Sequence, residues 1–452
     1  MEPWEGKMPG TPSLETISTR LPRIAKLARE MPGVALRTLA QHIDIACLRE
    51  AYRRTRKDGA VGGDRQTAEQ YAEALERNLQ SRRDRAKSGT YSAPPVRRVH
   101  LPKGDGSPVR PIGVPTFEDQ ILQRAVTMIL ETVYEQAFLA CSYGFRPGRS
   151  AHQALAVLRE GLMTMGGGWV LEVDIRSFFD TLAHGQLRAI LRKRGHDGVL
   201  LRLIGKWLHA GVREDGEVTY PDAGPPQGGV SSPLLANIFL HEVLDTWFEN
   251  EGQPRLRGRA VLVRYADDVT AVFSLEEDAR RVWAVLPKGF TRYGLTLHPE
   301  KPPLIACRRP SGADRDATAR PKSFDMLGFT PGGTRSLRGY WVIKRQTAQD
   351  RLSRALRAIA QWCRQHRHAP VSWQHAVLSR KLRGHYSYYG ITGNSVTITR
   401  FRHAVRTQWR KWLNRRGGRA HMSWPQFHRL AARYLLPAAI AVHSIYGRAA
   451  NP

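Results

Sequence analysis

Along Trp169-Val170-Leu171-Glu172-Val173-Asp174-Ile175 the pattern alternates, setting Leu171, Val173 and Ile175 on one face of an extended strand and Glu172 with Asp174 on the other. Such a strand presents Asp174 away from a core. Leu200, Leu203, Ile204, Trp207 and Leu208 recur at helical spacing, as do Leu234, Leu235, Ile238 and Phe239 after Ser232-Pro233, which reads as an N-cap and first-turn proline. These helices are expected to cover one face of the sheet. Residues 261–273 form two β-rich arms around Ala266-Asp267-Asp268, the pattern of a hairpin with acids at its tip. A hairpin in place of a second parallel crossover favours an α+β fold over a doubly wound one. In residues 12–85, Leu48, Ala51 and Tyr52 interleave with Arg53, Arg54, Arg56 and Lys57 before the turn-rich Asp58-Gly59 and Gly62-Gly63-Asp64. This predicts basic amphipathic helices, an entry module able to touch phosphates.

At 452 residues the chain exceeds the size at which one core stops growing, so two or three domains are expected. With 41% hydrophobic and 24% charged residues, no long apolar run and no apolar stretch in Met1 to Gly10, it reads as a cytoplasmic protein with no membrane partner. Cys47, Cys141, Cys307 and Cys363 form no CxxC pair and the histidines no HExxH, which argues against zinc or a disulfide framework. Charge changes the picture most. The net balance is +30, and residues 341–452 hold 21 Lys/Arg against the single acid Asp350. A polyanionic partner is the usual reason for such self-repulsion. The composition shift at residues 331–340 is the candidate boundary before an Arg-rich helical part, in which Arg351, Arg354 and Arg357 share a helix face opposite Leu352, Leu356 and Ile359.

Nucleotidyl transfer needs an activated 3′-hydroxyl and a neutralised pyrophosphate, and two metal ions about 3.5–4 Å apart can supply both. Magnesium prefers a few carboxylates with positions left open for phosphates and water. Asp174 on one strand and Asp267-Asp268 on a hairpin tip offer that set. Without a cation, three gathered carboxylates would repel one another. An Asp-Asp dipeptide alone is usually a solvated turn; its β-rich flanks and Asp174 make it a candidate site.

Tyr265-Ala266-Asp267-Asp268 resembles the palm motif of the reverse transcriptases encoded by bacterial group II introns. The likeness extends in order through Arg110 to Pro115, Ser142 to Ser150, Asp174 to Asp180, Pro226-Gln227-Gly228-Gly229, Ser232 to Asn237, His298 to Lys301 and Phe324 to Phe329. It implies an α+β right-hand polymerase of fingers and palm followed by an α-helical thumb/maturase domain. The matching divisions are 1–90 for an N-terminal extension and the start of the fingers, 91–335 for fingers and palm, 336–415 for the thumb/maturase domain, and 416–452 for a short basic segment. That last segment is a candidate DNA-binding remnant without the paired cysteines and histidines of the family's endonuclease.

The resemblance implies Asp174 and Asp267 as principal metal ligands for two Mg2+ ions, with Asp268 and the Ile175 carbonyl beside them. Lys103 and Arg110 match positions that grip the triphosphate. Phe179 matches the ring set against the sugar, with one of Phe178 and Phe179 expected in the core. Gln227 and Gly228 match the nucleotide pocket, and Lys301 the general acid toward pyrophosphate. Lys381-Leu382-Arg383-Gly384-His385-Tyr386-Ser387-Tyr388-Tyr389-Gly390 resembles the thumb/maturase motif. Lys381, Arg383 and Tyr388, with Arg406 and Arg410 further on, join the arginine stripe as expected nucleic-acid contacts. Pro226, Ser231 and Pro302 depart from the family's usual residues without touching the carboxylates.

The implied activity is RNA-directed DNA polymerisation with maturase function: binding group II intron RNA to assist splicing and priming cDNA synthesis at a DNA target from dNTPs. Two other readings are a domesticated relative in phage defence or repair, and a splicing-only RNA-binding maturase. The presence of all three aspartates argues against the latter.

Overall fold

The computed structural model describes residues 17–103, 107–220, 224, 228–298, 304–309, 323–336, 338–417 and 422–443. Within them lie the strands β1 (Val96–Lys103), β2 (Ser107–Val114), β3 (Gly167–Val173), β4 (Val212–Glu214), β5 (Glu217–Thr219), β6 (Ala260–Tyr265), β7 (Asp268–Phe273), β8 (Leu304–Arg308), β9 (Phe329–Arg335) and β10 (Trp341–Thr347). The central sheet has the order β6-β7-β3-β8, all antiparallel. A second sheet, β2-β1-β4-β5, is built on the long β1–β2 hairpin, and β9 pairs with β10 alone.

Both faces of the central sheet are covered, which corrects the expectation of helices on one face. Leu171, Val173, Val269, Ala271 and Phe273 join a core with helices Ser232–Leu240 and Glu276–Thr291. Val170, Val263 and Val272 join another with Ala154, Leu155, Leu158 and Leu162 of helix Ala151–Thr164. The reason is visible in β7, where five consecutive residues after Asp268 are buried. A strand buried on both faces carries a continuous apolar run in place of alternation. Each large aliphatic or aromatic side chain so buried contributes roughly 1.5–3 kcal/mol.

Helix Gly198–Leu208 buries Leu200, Leu203, Ile204, Trp207 and Leu208, as its spacing predicts. Its N-cap Asp197 also accepts from the Ala40 amide at 2.8 Å, tying in the amino-terminal segment. The cap of helix Ser232–Leu240 is Ser231, one residue earlier than expected, with Ser232-Pro233 as its first two residues. Helices Ile17–Glu30 and Ile45–Arg54 share the main core through Ile24, Ala28, Cys47, Leu48 and Ala51. The basic residues at the end of the second helix and just after it have internal partners: Arg53 and Arg54 meet Glu50, Arg56 meets Asp58, and the Lys57 ammonium sits 4.3 Å above the Tyr52 ring. All four cysteines are free thiols, three of them buried.

The β9–β10 hairpin spans the composition shift, and the helical part starts at Gln349 with helices Gln349–Gln365, Val371–Tyr389, Ser395–Leu413 and Trp424–Arg433. Ile359, Leu378, Leu382, Val405, Trp409 and Phe427 make its core. The segment after residue 416 therefore contributes a docked helix, started by a capping box at Ser423 and Gln426. Among the described residues no helix is long and apolar enough to cross a membrane.

His385 stacks on Phe401 in this core, ring centroids 3.8 Å apart. Burial pushes its imidazole down to about 4 from an ordinary 6.5. The unfolded chain takes up a proton near the ordinary value while the folded one resists, so this stability is complete above the ordinary value and is lost as pH falls toward the folded one. At about pH 4.5 the loss amounts to roughly 2–3 kcal/mol. Thermal unfolding should show wild type losing this margin on acidification and His385→Phe keeping it. Equal acid sensitivity of the two proteins would remove His385 from the account.

Candidate active site

The register of β3 on β7 pairs Val173 with Val269. One step further along each strand stand Asp174 and Asp268, side by side at the open end of the sheet. Their face is continuous: Val170 and Val272 lie in the core, Glu172 and Thr270 follow, and Asp174 and Asp268 emerge exposed. They form the floor of a cleft of about 430 Å³. Its opposite wall comes from Asp325, Leu327 and Gly328 beside β9, and from Asp350, Arg351, Tyr388 and Tyr389 of the helical part. Asp350, the sole acid of the last 112 residues, pairs with Arg351 at 3.3 Å and Arg354 at 3.6 Å. Burial, with Tyr389, Tyr265 and Asp268 adding to it, pushes the Tyr388 phenol up to about 12. It is a hydrogen-bond donor, reaching the Leu327 carbonyl at 2.8 Å.

Asp267 is placed differently. The pairing of Tyr265 with Asp268 leaves Ala266-Asp267 as a two-residue turn, with Asp267 half-buried and not among the residues lining the cleft. Ala266 has φ 58°, the left-handed region. A Cβ on Gly144 would collide with the Ala266 backbone nitrogen, so only glycine lets segment 141–144 lie against the turn. The buried Arg264 donates to the Ala266 carbonyl at 3.1 Å.

Ile175 is buried and bridges Leu297, flanked by bonds from the Arg176 amide to Thr296 and from the His298 amide to Asp174. These leave the Ile175 carbonyl turned to the opposite edge, the side of the hairpin. Among the described residues no three acidic, histidine or cysteine side chains converge as a complete ligand set.

Of the remaining positions singled out in the sequence, Phe178 is core and Phe179 packs half-buried on its edge, their ring centroids 5.2 Å apart. For Lys103 and Arg110 the backbone alone is described: both lie toward the turn of the β1–β2 hairpin, Arg110 opposite Leu101 and Lys103 opposite Ser107. Gly228, at φ 113°, sits where a Cβ would strike Ile112 and the Gly113 carbonyl of β2. This sets Gly228 against the same hairpin. Gln227 and Lys301 lie outside the described residues.

Arg351, Arg357, Lys381 and Arg383 are exposed, and Arg354 is half-buried. Arg406 and Arg410 are turned inward: Arg406 lies 5.6 Å from the Phe427 ring, and Arg410 lies 4.0 Å from Trp424 and donates to the Met422 carbonyl at 3.0 Å. They pin the last helix. Arg264 is not among the site residues expected from the sequence, although a charge inside Val261-Leu262-Val263-Arg264-Tyr265 is a signal of a buried partner. Asp350 stands out in the sequence as the lone acid of a basic region, and Leu327-Gly328 as part of the Phe324–Phe329 likeness, but only the fold brings them to the wall of the cleft.

Comparison with known proteins bears on this arrangement. Residues 101–331, just over half of the chain, match the family described as reverse transcriptase (RNA-dependent DNA polymerase). Protein YkfC of Escherichia coli (strain K12) is 38% identical over 222 residues, covering 43% of this chain and 58% of that protein. The group II intron-encoded protein LtrA of Lactococcus lactis subsp. cremoris is 41% identical over 171 residues, covering 38% of this chain and 28% of that one. The putative COX1/OXI3 intron 1 protein of Saccharomyces cerevisiae is 28% identical over 329 residues, covering 60% of this chain and 38% of its own length. The chain thus spans between about a quarter and somewhat over half of these curated relatives. The matched span holds β2 with the end of β1, Asp174 and the Asp267-Asp268 hairpin on one continuous stretch, and the chain belongs to the reverse transcriptase family.

Proposed function

We propose that the chain is an RNA-directed DNA polymerase that also serves as a maturase, binding group II intron RNA to assist splicing and priming cDNA synthesis at a DNA target. The observation that carries this reading is the cleft itself, with Asp174 and Asp268 on its floor and Arg351 of the basic helical part on its wall. In this reading the β1–β2 hairpin belongs to the fingers, the central sheet is the palm, and the helices after Gln349 are the thumb and maturase surface. The similarity to the protein named as encoded by a group II intron supports the choice of intron RNA as partner.

Asp174, Asp267 and Asp268, with the Ile175 carbonyl, are the groups that would hold two Mg2+ ions. When bound, these ions help to activate the primer 3′-hydroxyl and neutralise charge on the departing pyrophosphate. Lys103 and Arg110 grip the triphosphate of the incoming dNTP, as an ammonium point charge and a planar guanidinium fork. Phe179 lies against the sugar and excludes a ribose 2′-hydroxyl. Gln227 and Gly228 close the nucleotide pocket, and Lys301 donates a proton to pyrophosphate. The exposed cations Arg351, Arg357, Lys381 and Arg383, with Arg354, track the template–primer and intron backbones.

Two assays test the reading. Purified protein should extend a DNA primer on an RNA template with dNTPs and Mg2+, and should raise the splicing rate of a group II intron precursor in dilute Mg2+. Absence of extension on any RNA template would overturn the polymerase, and extension without any effect on splicing would detach it from introns.

A further inference from the structure

Arg264 interrupts the apolar run of β6, and both it and Asp245 are fully buried. A buried arginine needs its charge matched and its five N–H donors filled. Here every donor has a partner. Nε and Nη2 fork onto the two Asp245 oxygens at 2.8 and 2.6 Å. The second Nη2 hydrogen reaches Ser142 Oγ at 2.8 Å, and Nη1 serves Asn237 Oδ1 at 2.8 Å and the Ala266 carbonyl at 3.1 Å. The Asn237 amide then donates to the Gly144 carbonyl at 2.7 Å, and Gly144 packs on Ala266. The circuit from Arg264 through Asn237 and Gly144 to Ala266 closes on the turn that carries Asp267.

Ala266 sits at φ 58°, where a side chain is strained, and such a conformation persists only when its surroundings over-determine it. The Arg264 circuit is that surrounding. It is not needed merely to fill the core, because a buried ion pair can often be replaced by apolar residues of similar volume with no loss of stability. We propose that Arg264, oriented by Asp245, is a positioning residue that holds the Ala266-Asp267 turn in the geometry in which the acids of the hairpin and Asp174 meet a divalent cation. The proposal rests on the metal-dependent polymerase reading above.

The test is made on the full chain with Mn2+ as reporting ion, its binding followed directly by electron paramagnetic resonance, beside thermal unfolding and primer extension. The combined change Arg264→Met with Asp245→Leu removes the fork and leaves apolar volume. It should melt within a few degrees of wild type yet bind Mn2+ on the order of 10-fold more weakly, and extension should reach half its maximum at correspondingly higher metal. Adding Ala266→Gly, which relieves the strained φ, should recover part of that affinity, an effect a purely structural pair would not show. A folded double variant with wild-type Mn2+ affinity would overturn the proposal. If the double variant does not fold, Ser142→Ala decides: it leaves the ion pair intact, so a several-fold loss of Mn2+ affinity supports the role and an unchanged affinity overturns it. Wild-type protein that binds no Mn2+ would overturn the metal reading beneath it as well, whereas loss confined to the variants bears on Arg264 alone.

Discussion

Asp174→Asn, Asp267→Asn and Asp268→Asn should each extend an RNA-templated primer on the order of 10³-fold or more slower than wild type while unfolding at nearly the same temperature. Asparagine keeps the shape of the side chain and removes the charge, so the change isolates the electrostatic contribution. Charge stabilisation of the transition state by a bound metal is worth several kcal/mol, and about 1.4 kcal/mol is a factor of ten in rate. Stability should barely move at Asp174 and Asp268, which are exposed, since surface substitutions usually stay within about ±0.5 kcal/mol, and at half-buried Asp267 the near-isosteric asparagine keeps the change small. The rank order carries further information. Asp268 lines the cleft with Asp174 whereas Asp267 occupies the turn. Loss largest at Asp267 would mean that the turn swings its acid inward when substrate and metal arrive. Loss confined to Asp174 and Asp268 would make those two the working ligands. Single-turnover extension at saturating dNTP measures all three, and wild-type rates throughout would sink the metal site.

What the sequence made legible follows from local physics. Alternation about Val173 placed Asp174 on the outward face, and the β-rich arms around Ala266-Asp267 marked a hairpin, because a strand's period of two depends only on neighbouring residues. The helix Gly198–Leu208 was readable for the same reason. Burial on both faces of the sheet was not, since Val170 and Val272 owe it to helix Ala151–Thr164 packing from outside their own segment. Nor was the Arg264 circuit, whose partners stand at 142, 237, 245 and 266, brought together only by the folded chain.

Charge was legible as a total and illegible residue by residue. A run such as Arg53, Arg54, Arg56, Lys57 looks the same in sequence whether it meets phosphates or its own acids; here Glu50 and Asp58 stand beside the arginines. Arg406 and Arg410 show the other outcome, with aromatic faces as partners in a region almost without carboxylates. Burial by Trp424 and Phe427, which arrive from a separate helix, cannot be read from the helix Ser395–Leu413 that carries the two arginines.

That distinction gives the basic surface a sharp test. Replacing Arg351, Arg354 and Arg357 together by glutamine should weaken binding to an RNA–DNA primer–template on the order of 10²-fold near 0.1 M salt, and lower the slope of log affinity against log salt by about 2–3. Each phosphate contact releases condensed counterions, so if these three cations meet the backbone as proposed, their removal takes away their share of the slope. Arg351 lines the cleft and Arg357 is exposed one turn and a half further along the same helix. Asp350 holds the first two in place at 3.3 and 3.6 Å without neutralising the region, since surface pairs of this kind contribute little and yield readily to a phosphate. The matched control is Arg406→Gln with Arg410→Gln. Those residues are engaged with Phe427 and Trp424, so their loss should lower the melting temperature by undocking helix Trp424–Arg433 while leaving the salt slope as it was. Fluorescence anisotropy across a series of KCl concentrations reads both proteins. A slope unchanged by the first triple, or reduced by the second pair, would reverse the assignment of which arginines face the nucleic acid.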